Sequence, residues 1–520
     1  MTLIAVSIWV ASEPEVDDAL AKARQAAEAG ARLVEWRVDA LDGDGVDVIA
    51  AAIRLIKDSP LPCIITRRPT SEGGMCSETD IQRSAFFGGV ANSGYAPKYL
   101  DIELASFRED KSHWSTALSN DEKDASLILS SHDFDGRPRD LFQRIEEITN
   151  EPACDVIKIV WAARSLRDNL EAFDLLTERK KPMIALCMGQ FGLMSRVLAP
   201  KFGGFLTFAC MDKDDATATG QPTINELIDL YRFDQIGLDT KVYGVIGWPV
   251  EHSLSPKIHN AGFCALGHDG VYLPMPLPPE YEHFKATVGS FVDHERLDFR
   301  GASVTIPHKE NLLRFVSERG GMVDPLAEKI GAANTLVIDD DGVVSCFNTD
   351  APAAIESLCD GAGIKHEDLK NRRIAVIGAG GVARAVIAGL CDADAKVTIF
   401  NRTPRKAEAL AELFHAEVGG KTPLELDKFE IYINCTSLGM AGGPAPDQSP
   451  LPLDAPLDKN TVVFDTVYTP QQTPLIKQAE AAGAKTISGI EMFLRQASLQ
   501  FERWTCKEAP MEVFRKALNK

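Results

Sequence analysis

The sequence predicts an α/β protein: an N-terminal (βα)8 TIM barrel followed by a two-lobed α/β region whose second lobe is a Rossmann unit. Three observations carry this. Short β-branched runs recur about every 30 residues through the first half and alternate with amphipathic stretches. The stretch Tyr231 to Lys241 reads as a linker, after which the punctuation changes. Finally, the apolar run Arg373 to Ile377 leads straight into Gly378-x-Gly380-x-x-Ala383 and a helix.

The eight expected strands are Leu3 to Val10, Leu33 to Arg37, Cys63 to Thr66, Tyr99 to Glu103, Leu127 to His132, Val156 to Val160, Met183 to Cys187 and Phe205 to Ala209. Helical stretches such as Pro14 to Gly30, Arg137 to Asn150 and Ser165 to Lys180 lie between them. Eight such units in about 235 residues fit a closed barrel. An open doubly wound sheet of the same elements is the alternative. A new strand begins at Val242 to Gly247, and a second βα system runs to about Asp350. In the Rossmann unit the helix is expected over Arg384 to Cys391 and the next strand over Lys396 to Phe400, while Ala441 to Pro456 is too rich in Pro and Gly for either element. The expected division is therefore 1–235, 242–350 joined by 486–520, and an inserted 351–485.

Composition narrows the class. With 45% apolar and 25% charged residues among 520, disordered and collagenous classes drop out. The net charge of −20 disfavours nonspecific contact with nucleic acid or anionic lipid, so no nucleic-acid or membrane partner is expected. Anionic small substrates then need locally placed Lys and Arg. Eleven scattered Cys without a CxxC pair argue against disulfides and structural zinc, and no metal site is expected. The longest apolar stretches, such as Leu3 to Ala11, are too short to span a bilayer. The N-terminus has neither an export signal nor a transit peptide, so a cytoplasmic location is expected.

In a (βα)8 barrel the C-terminal strand ends face the active site. They carry Glu35-Trp36-Arg37-Val38-Asp39, Thr66-Arg67-Arg68 with Glu72-Gly73-Gly74, Asp101-Ile102-Glu103, Ser130-Ser131-His132, and Lys158 within an apolar strand. Alternation puts Lys158 on the face opposite Ile157 and Ile159, inside the barrel. Burial disfavours an ammonium and lowers its pKa, which makes the amine a nucleophile toward ketones. His132, on the adjacent strand end, can remove a proton next to the resulting imine. The alternative for Lys158 is a structural ion pair with Glu35, Asp101 or Glu103, and for His132 a polar-rim or capping role.

These strand ends resemble type I 3-dehydroquinate dehydratase across the whole barrel half. The matching pieces are EWRVD at Glu35, TRRPTSEGG at Thr66, YLDIEL at Tyr99, SSHDF at Ser130, KIV at Lys158, MGQFGLMSR at Met188 and GQPT at Gly220. The resemblance implies Lys158 as Schiff-base lysine, His132 as general acid/base, and Glu35, Arg37, Arg68, Arg196 and Gln221 as substrate ligands. Thr217 stands where that family generally has Ser, and it keeps the hydroxyl. Arg67 stands where an aromatic residue is usual.

In the Rossmann unit, Gly378, Gly380, Gly381, Val382 and Ala383 open the helix whose free amides hold a pyrophosphate. The end of the next strand, where NAD enzymes place an acid, is Asn401-Arg402-Thr403, followed by Arg405 and Lys406. Cations without an acid favour a 2′-phosphate, hence NADP. A surface basic cluster beside loosely bound NAD is the alternative. The preceding lobe contains Ser253-Leu254-Ser255-Pro256, Val304 to Lys309, Gly331 to Thr335 and Asn348-Thr349-Asp350. Hydroxyls and amides suit a polyhydroxylated acid, and Lys309 with Asp350 can supply a proton and a cation to a ketone undergoing reduction. A surface ion pair is the alternative.

This ordered set resembles shikimate dehydrogenase across residues 242–505. The resemblance implies Ser253 and Ser255 for the carboxylate, Thr305, Asn334 and Asp350 for the ring hydroxyls, Lys309 and Asp350 as catalytic pair, and Tyr468, Gln496 and Gln500 completing the pocket. Ser303 departs from the family's frequent Asn. Together the two halves resemble the bifunctional dehydratase/dehydrogenase family known from plants and some bacteria. The expected substrates are 3-dehydroquinate, 3-dehydroshikimate and shikimate, with the first half's product reduced by the second. A quinate dehydrogenase using NAD, and a non-catalytic sensor built from the same domains, are the competing readings. Ser255 with Thr305 speaks against the first. The presence of Lys158, His132, Lys309 and Asp350 speaks against the second.

Overall fold

The structure, a computed structural model, describes residues 1–41, 47–118, 125–421 and 429–518. The chain forms two compact units, one of residues 1–242 with 269–277 and 293–298, the other of the remaining residues.

In the first unit the eight expected strands form at or within two residues of their expected bounds: β1 (Leu3–Trp9), β2 (Leu33–Arg37), β3 (Cys63–Thr66), β4 (Tyr99–Glu103), β5 (Ser126–Asp133), β6 (Val156–Ala162), β7 (Met183–Met188) and β8 (Leu206–Ala209). Parallel ladders run β7-β6-β5-β4-β3-β2-β1-β8. At the seam between β7 and β8 the Phe205 amide donates to the Met183 carbonyl at 2.8 Å. The sheet thus curls into a nearly closed barrel, and an open doubly wound order is excluded.

Strand interiors are buried on both sides, as parallel strands covered by helices require. One side of each strand packs on helices, and the other meets apolar residues such as Ile64, Ile128, Ile184 and Phe208 inside the barrel. Register then fixes which polar side chains share a level. Lys158 pairs with Ser130, which pairs with Glu103, while Arg37 pairs with Thr66 and Thr66 with Asp101.

The linker is bound along its length. Phe233–Gln235 forms a short 3-10 helix, and the buried Lys201 ammonium donates to the carbonyls of Leu238 and Thr240 at 2.7 and 2.8 Å. Strand β9 (Lys241–Gly247) follows, and then β10 (Gly270–Pro276).

In the second unit, β11 (Phe299–Val304), β12 (Met322–Val323), β13 (Thr335–Ile338) and β14 (Val344–Phe347) assemble with β9 in the order β9-β11-β13-β14-β12. Antiparallel pairs β11/β13 and β13/β14 make this sheet mixed. A separate parallel sheet has the order β17-β16-β15-β18-β19-β20, built from β15 (Arg373–Ile377), β16 (Lys396–Phe400), β17 (Glu417–Gly420), β18 (Ile431–Asn434), β19 (Val462–Asp465) and β20 (Lys485–Ser488). This is a doubly wound Rossmann arrangement. Its first helix spans Gly381–Asp392, one turn earlier than expected, because Gly381 already has helical backbone. The long helix Gly489–Thr505 carries Gln496 and Gln500.

Candidate active sites

The barrel mouth holds a buried ionic network. The amine of Lys158 lies 2.5 Å from Oδ2 of Asp101, 3.6 Å from Oε1 of Glu35 and 4.4 Å from the centroid of the Phe208 ring. Arg68 donates to Asp101 Oδ2 (3.2 Å), Glu103 Oε1 (3.1 Å) and Ser130 Oγ (3.3 Å). The other Glu103 oxygen pairs with Arg83, itself fully buried and donating to the Arg67 carbonyl and Ser106 Oγ at 3.0 and 2.8 Å. Glu35, Asp101 and Glu103 thus face Lys158, Arg68 and Arg83, which balances charge where water cannot.

Electrostatics follows from this pairing. Burial pushes the Asp101 and Glu35 carboxyls up, yet Lys158 with Arg68 around Asp101, and Lys158 with Arg37 around Glu35, hold both below the usual carboxylate range. For Glu72, burial and nearby Glu103 outweigh Arg68 and push the carboxyl to about 7. His132 is kept neutral, mainly by burial and then by the Arg68 and Lys158 cations. Its Nδ1 lies 3.1 Å from Glu72 Oε2, which also accepts its backbone N–H at 3.0 Å.

Two buried side chains expected as substrate ligands in the same unit carry donors with no partner among the described residues. Arg196 is buried with its Nε unpartnered, and burial lowers its pKa to about 10. Gln221 accepts at Oε1 from the amide and hydroxyl of Thr217 (3.0 and 3.2 Å), while its buried Nε2 has no partner. A buried donor without an acceptor is costly, and a carboxylate or hydroxyl ligand removes that cost. The Thr217 hydroxyl is used here as a Ser would be. Arg37 instead makes a bidentate pair with Asp39, both bonds 2.9 Å, and stacks over Trp9.

Sequence reasoning left Arg67 without a role. Its buried guanidinium pairs with Glu78 at 2.8 Å and donates to the carbonyls of Val38 (2.6 Å) and Leu41 (3.0 Å). It thereby ties the loop after β3 to the end of β2. Sequence reasoning also gave Glu72 no function and Asp101 only an ion-pair alternative. The quoted TRRPTSEGG and YLDIEL runs contained both.

In the second unit, Lys309 and Asp350 each begin a helix and are buried, with Nζ 2.6 Å from Oδ2. A surface ion pair is therefore excluded. Asn348 Oδ1 accepts the N–H groups of Asp350 and Ala351, both at 3.1 Å, which fixes the start of the Asp350 helix. Asn334 Oδ1 accepts the Thr349 amide at 2.8 Å, and its Nδ2 donates to Thr349 Oγ1 at 3.0 Å. Gln500 donates to the Asn334 carbonyl and Thr335 Oγ1, and accepts from Ser303 Oγ at 2.6 Å. Ser303, the departure from Asn, is thus tied to a residue of the expected pocket. Tyr468 stacks on Phe493 (centroids 4.6 Å apart), whose carbonyl accepts from Gln496 at 2.9 Å. Phe493, which sequence reasoning did not single out, is where those two meet. The Ser255 amide donates to Ser253 Oγ at 3.3 Å, and the Thr305 amide to the Ile246 carbonyl at 2.9 Å.

The glycine loop fits a dinucleotide. Gly378 has φ +120°, and a Cβ there would stand 2.8 Å from the Cys435 carbonyl oxygen, so only glycine is accommodated. Above Gly380 the space is open; a Cβ on Gly381 would meet Lys309 Cδ at 3.1 Å. Val382 and Ala383 continue the helix. Beyond β16, Asn401 Nδ2 donates to the Thr403 carbonyl at 2.9 Å. Arg402, Thr403, Arg405 and Lys406 are exposed, and none of the three cations is ion-paired among the described residues.

Three family models match successive parts of the chain. The family model for type I 3-dehydroquinase matches residues 4–237, that for the shikimate dehydrogenase substrate binding domain 245–336, and that for shikimate/quinate 5-dehydrogenase 360–438. A chloroplastic bifunctional 3-dehydroquinate dehydratase/shikimate dehydrogenase of Arabidopsis thaliana is 37% identical over 97% of this chain and 83% of its own length. The chain belongs to that bifunctional family. Within this bifunctional 3-dehydroquinate dehydratase/shikimate dehydrogenase family the second half also resembles single-function proteins. An NADP(+) shikimate dehydrogenase of Methanocella arvoryzae is 43% identical over 53% of this chain and 97% of its own. A shikimate dehydrogenase solved with NADP+ is 36% identical, with TM-score 0.49, over 54% of this chain and 95% of its own. Among the described residues no helix is long and apolar enough to cross a membrane, and no group of three or more metal-ligating side chains occurs.

Proposed function

We propose that this chain dehydrates 3-dehydroquinate to 3-dehydroshikimate in the barrel and reduces that ketone to shikimate with NADPH in the second unit. The observation that carries the first step is the Lys158 amine, buried at the barrel mouth beside Asp101 with the neutral imidazole of His132 in the same network. Lys158 adds to the substrate ketone, and loss of water leaves an imine. His132 takes the proton next to the imine carbon and gives a proton to the departing hydroxyl, after which water hydrolyses the imine and frees the amine. Glu72 orients His132. Glu35 and Arg68 hold the substrate beside Lys158, Arg37 from the end of β2, and Arg196 takes its carboxylate in a charge-assisted contact completed by Gln221 and Thr217.

In the second unit Lys309 and Asp350 hold the ketone and supply its proton, with Asp350, Asn334 and Thr305 toward the ring hydroxyls, Gln500 completing the pocket by holding Asn334 and Thr335, and Ser253 and Ser255 toward the carboxylate. Tyr468 and Gln496 close the pocket through Phe493. Gly378, Gly380, Gly381, Val382 and Ala383 would hold the pyrophosphate of NADP, and Asn401, Arg402, Thr403, Arg405 and Lys406 its adenosine 2′-phosphate. That cofactor, when bound, supplies the hydride. Support comes from these exposed cations, which have no ion pair among the described residues, and from the NADP(+) named for the Methanocella arvoryzae relative. The functional division we infer is 1–235, 242–350 with 486–520, and 351–485. We place the chain in the cytoplasm; its eleven cysteines are free thiols, as in a reducing compartment.

Sodium borohydride added with 3-dehydroquinate should fix one substrate-derived adduct on the peptide containing Lys158. Normal dehydration without any adduct would refute the imine.

A further inference from the structure

One ring nitrogen of His132 meets two partners that require opposite things of it. Nδ1 lies 2.8 Å from a terminal nitrogen of Arg68 and 3.1 Å from Oε2 of Glu72. A guanidinium has only N–H donors, so toward Arg68 the nitrogen accepts. A neutral imidazole accepting at Nδ1 carries its proton on Nε2 and has no base left to offer there. An ionised carboxylate only accepts, so toward Glu72 the same nitrogen must donate. The proton then sits on Nδ1, and Nε2 is a free base. The two contacts therefore belong to different tautomers.

Several observations assign the ligand-free protein to the first of these. Arg68 makes the shorter contact, and its guanidinium is anchored independently of His132 on Asp101 at 3.2 Å and Glu103 at 3.1 Å, with Arg83 holding the other Glu103 oxygen. Glu72, raised to about 7, is partly protonated at neutral pH, and its protonated form also donates toward Nδ1. It stays beside His132 through the backbone N–H whichever tautomer is present.

We propose that Arg68 holds His132 in its non-basic tautomer until substrate arrives, and that a substrate oxygen then draws the guanidinium away and hands Nδ1 to Glu72. The proposal rests on the dehydratase reading above and adds a control to the same site. In the exchange one proton leaves Nε2 for water and one reaches Nδ1, from water or from the Glu72 carboxyl, so the imidazole stays neutral. Arg68 keeps its bonds to Asp101 and Glu103 and exchanges only the imidazole nitrogen for a hydroxyl or carboxylate oxygen. The base thus becomes competent only under bound substrate.

The test is nitrogen NMR on the full chain labelled with 15N-histidine, with the His132 signals identified by their loss in His132→Gln. The ligand-free protein should show an unprotonated Nδ1 and a protonated Nε2. The borohydride-reduced adduct of 3-dehydroquinate should show the reverse. In Arg68→Met the ligand-free protein should already carry the proton on Nδ1. A protonated Nδ1 in the ligand-free wild type, or the same tautomer with and without adduct, overturns the switch and leaves the dehydratase reading standing. Failure of any adduct to form overturns both.

Discussion

The Lys158 amine and the Asp101 carboxylate are 2.5 Å apart inside the barrel, and both side chains are buried. On the proposed mechanism the ion pair and the nucleophile are one arrangement, because Asp101 receives the ammonium while Arg68 keeps that carboxylate from being left unpaired when the amine reacts. Lys158→Met should lower dehydration by roughly 10³-fold or more, since covalent catalysis is lost. NADPH-linked reduction of added 3-dehydroshikimate should remain near wild type, and separate assays of the two reactions check this.

Lys309→Ala should do the converse. Removing the general acid of a buried pair is expected to slow reduction by roughly 10²- to 10⁴-fold. Dehydration should stay unchanged. Equal loss of both activities would contradict separate sites.

Arg67 supports the loop that carries Glu72. Arg67→Ala leaves the Val38 and Leu41 carbonyls without their donor and Glu78 without its partner, at about 2–3 kcal/mol because Glu78 is partly exposed. Arg67→Tyr, restoring an aromatic, should be milder. Chemical unfolding of the barrel transition measures both.

Glu72 is pushed to about 7 by burial and Glu103. Its carboxylate form is the one that holds a proton on Nδ1. Dehydratase kcat/KM should therefore fall by about tenfold per pH unit below that value. Glu72→Gln should abolish this limb while lowering the plateau.

His259 lies among the Phe263, Phe501, Trp504 and Phe514 rings, and burial lowers its pKa to about 3 from an ordinary 6.5. It is neutral when folded and takes up a proton when unfolded below 6.5. Its contribution is complete above that pH and is lost as pH falls toward 3, by at most about 1.4 kcal/mol per unit. His259→Phe should flatten the acid side of the melting-temperature profile of the second unit. An unchanged slope would count against this.

Much of this architecture was legible beforehand. The eight barrel strands are short β-branched runs bounded by turn residues, and the Rossmann strand is announced by a glycine run in which Gly378, at φ +120°, cannot be replaced. Alternation alone put Lys158 inside the barrel. What was not legible is pairing across long separations. Glu72 meets His132 across 60 positions, and nothing in the sequence chose Asp101 over Glu35 or Glu103 as the nearest partner of Lys158, 57 positions away. Spacing along a chain carries no signal for such contacts. Arg67 had no sequence rationale because two of its partners, the Val38 and Leu41 carbonyls, are backbone atoms that leave no mark on residue type, and spacing does not reveal its pair with Glu78.

On the proposed function, one chain performs both reactions with NADP. Supplying 3-dehydroquinate with NADPH, and in parallel with NADH, while following shikimate tests it most directly. Shikimate forming with NADPH at a rate well above that with NADH is the predicted result. Preference for NADH, or accumulation of 3-dehydroshikimate without reduction, would contradict it.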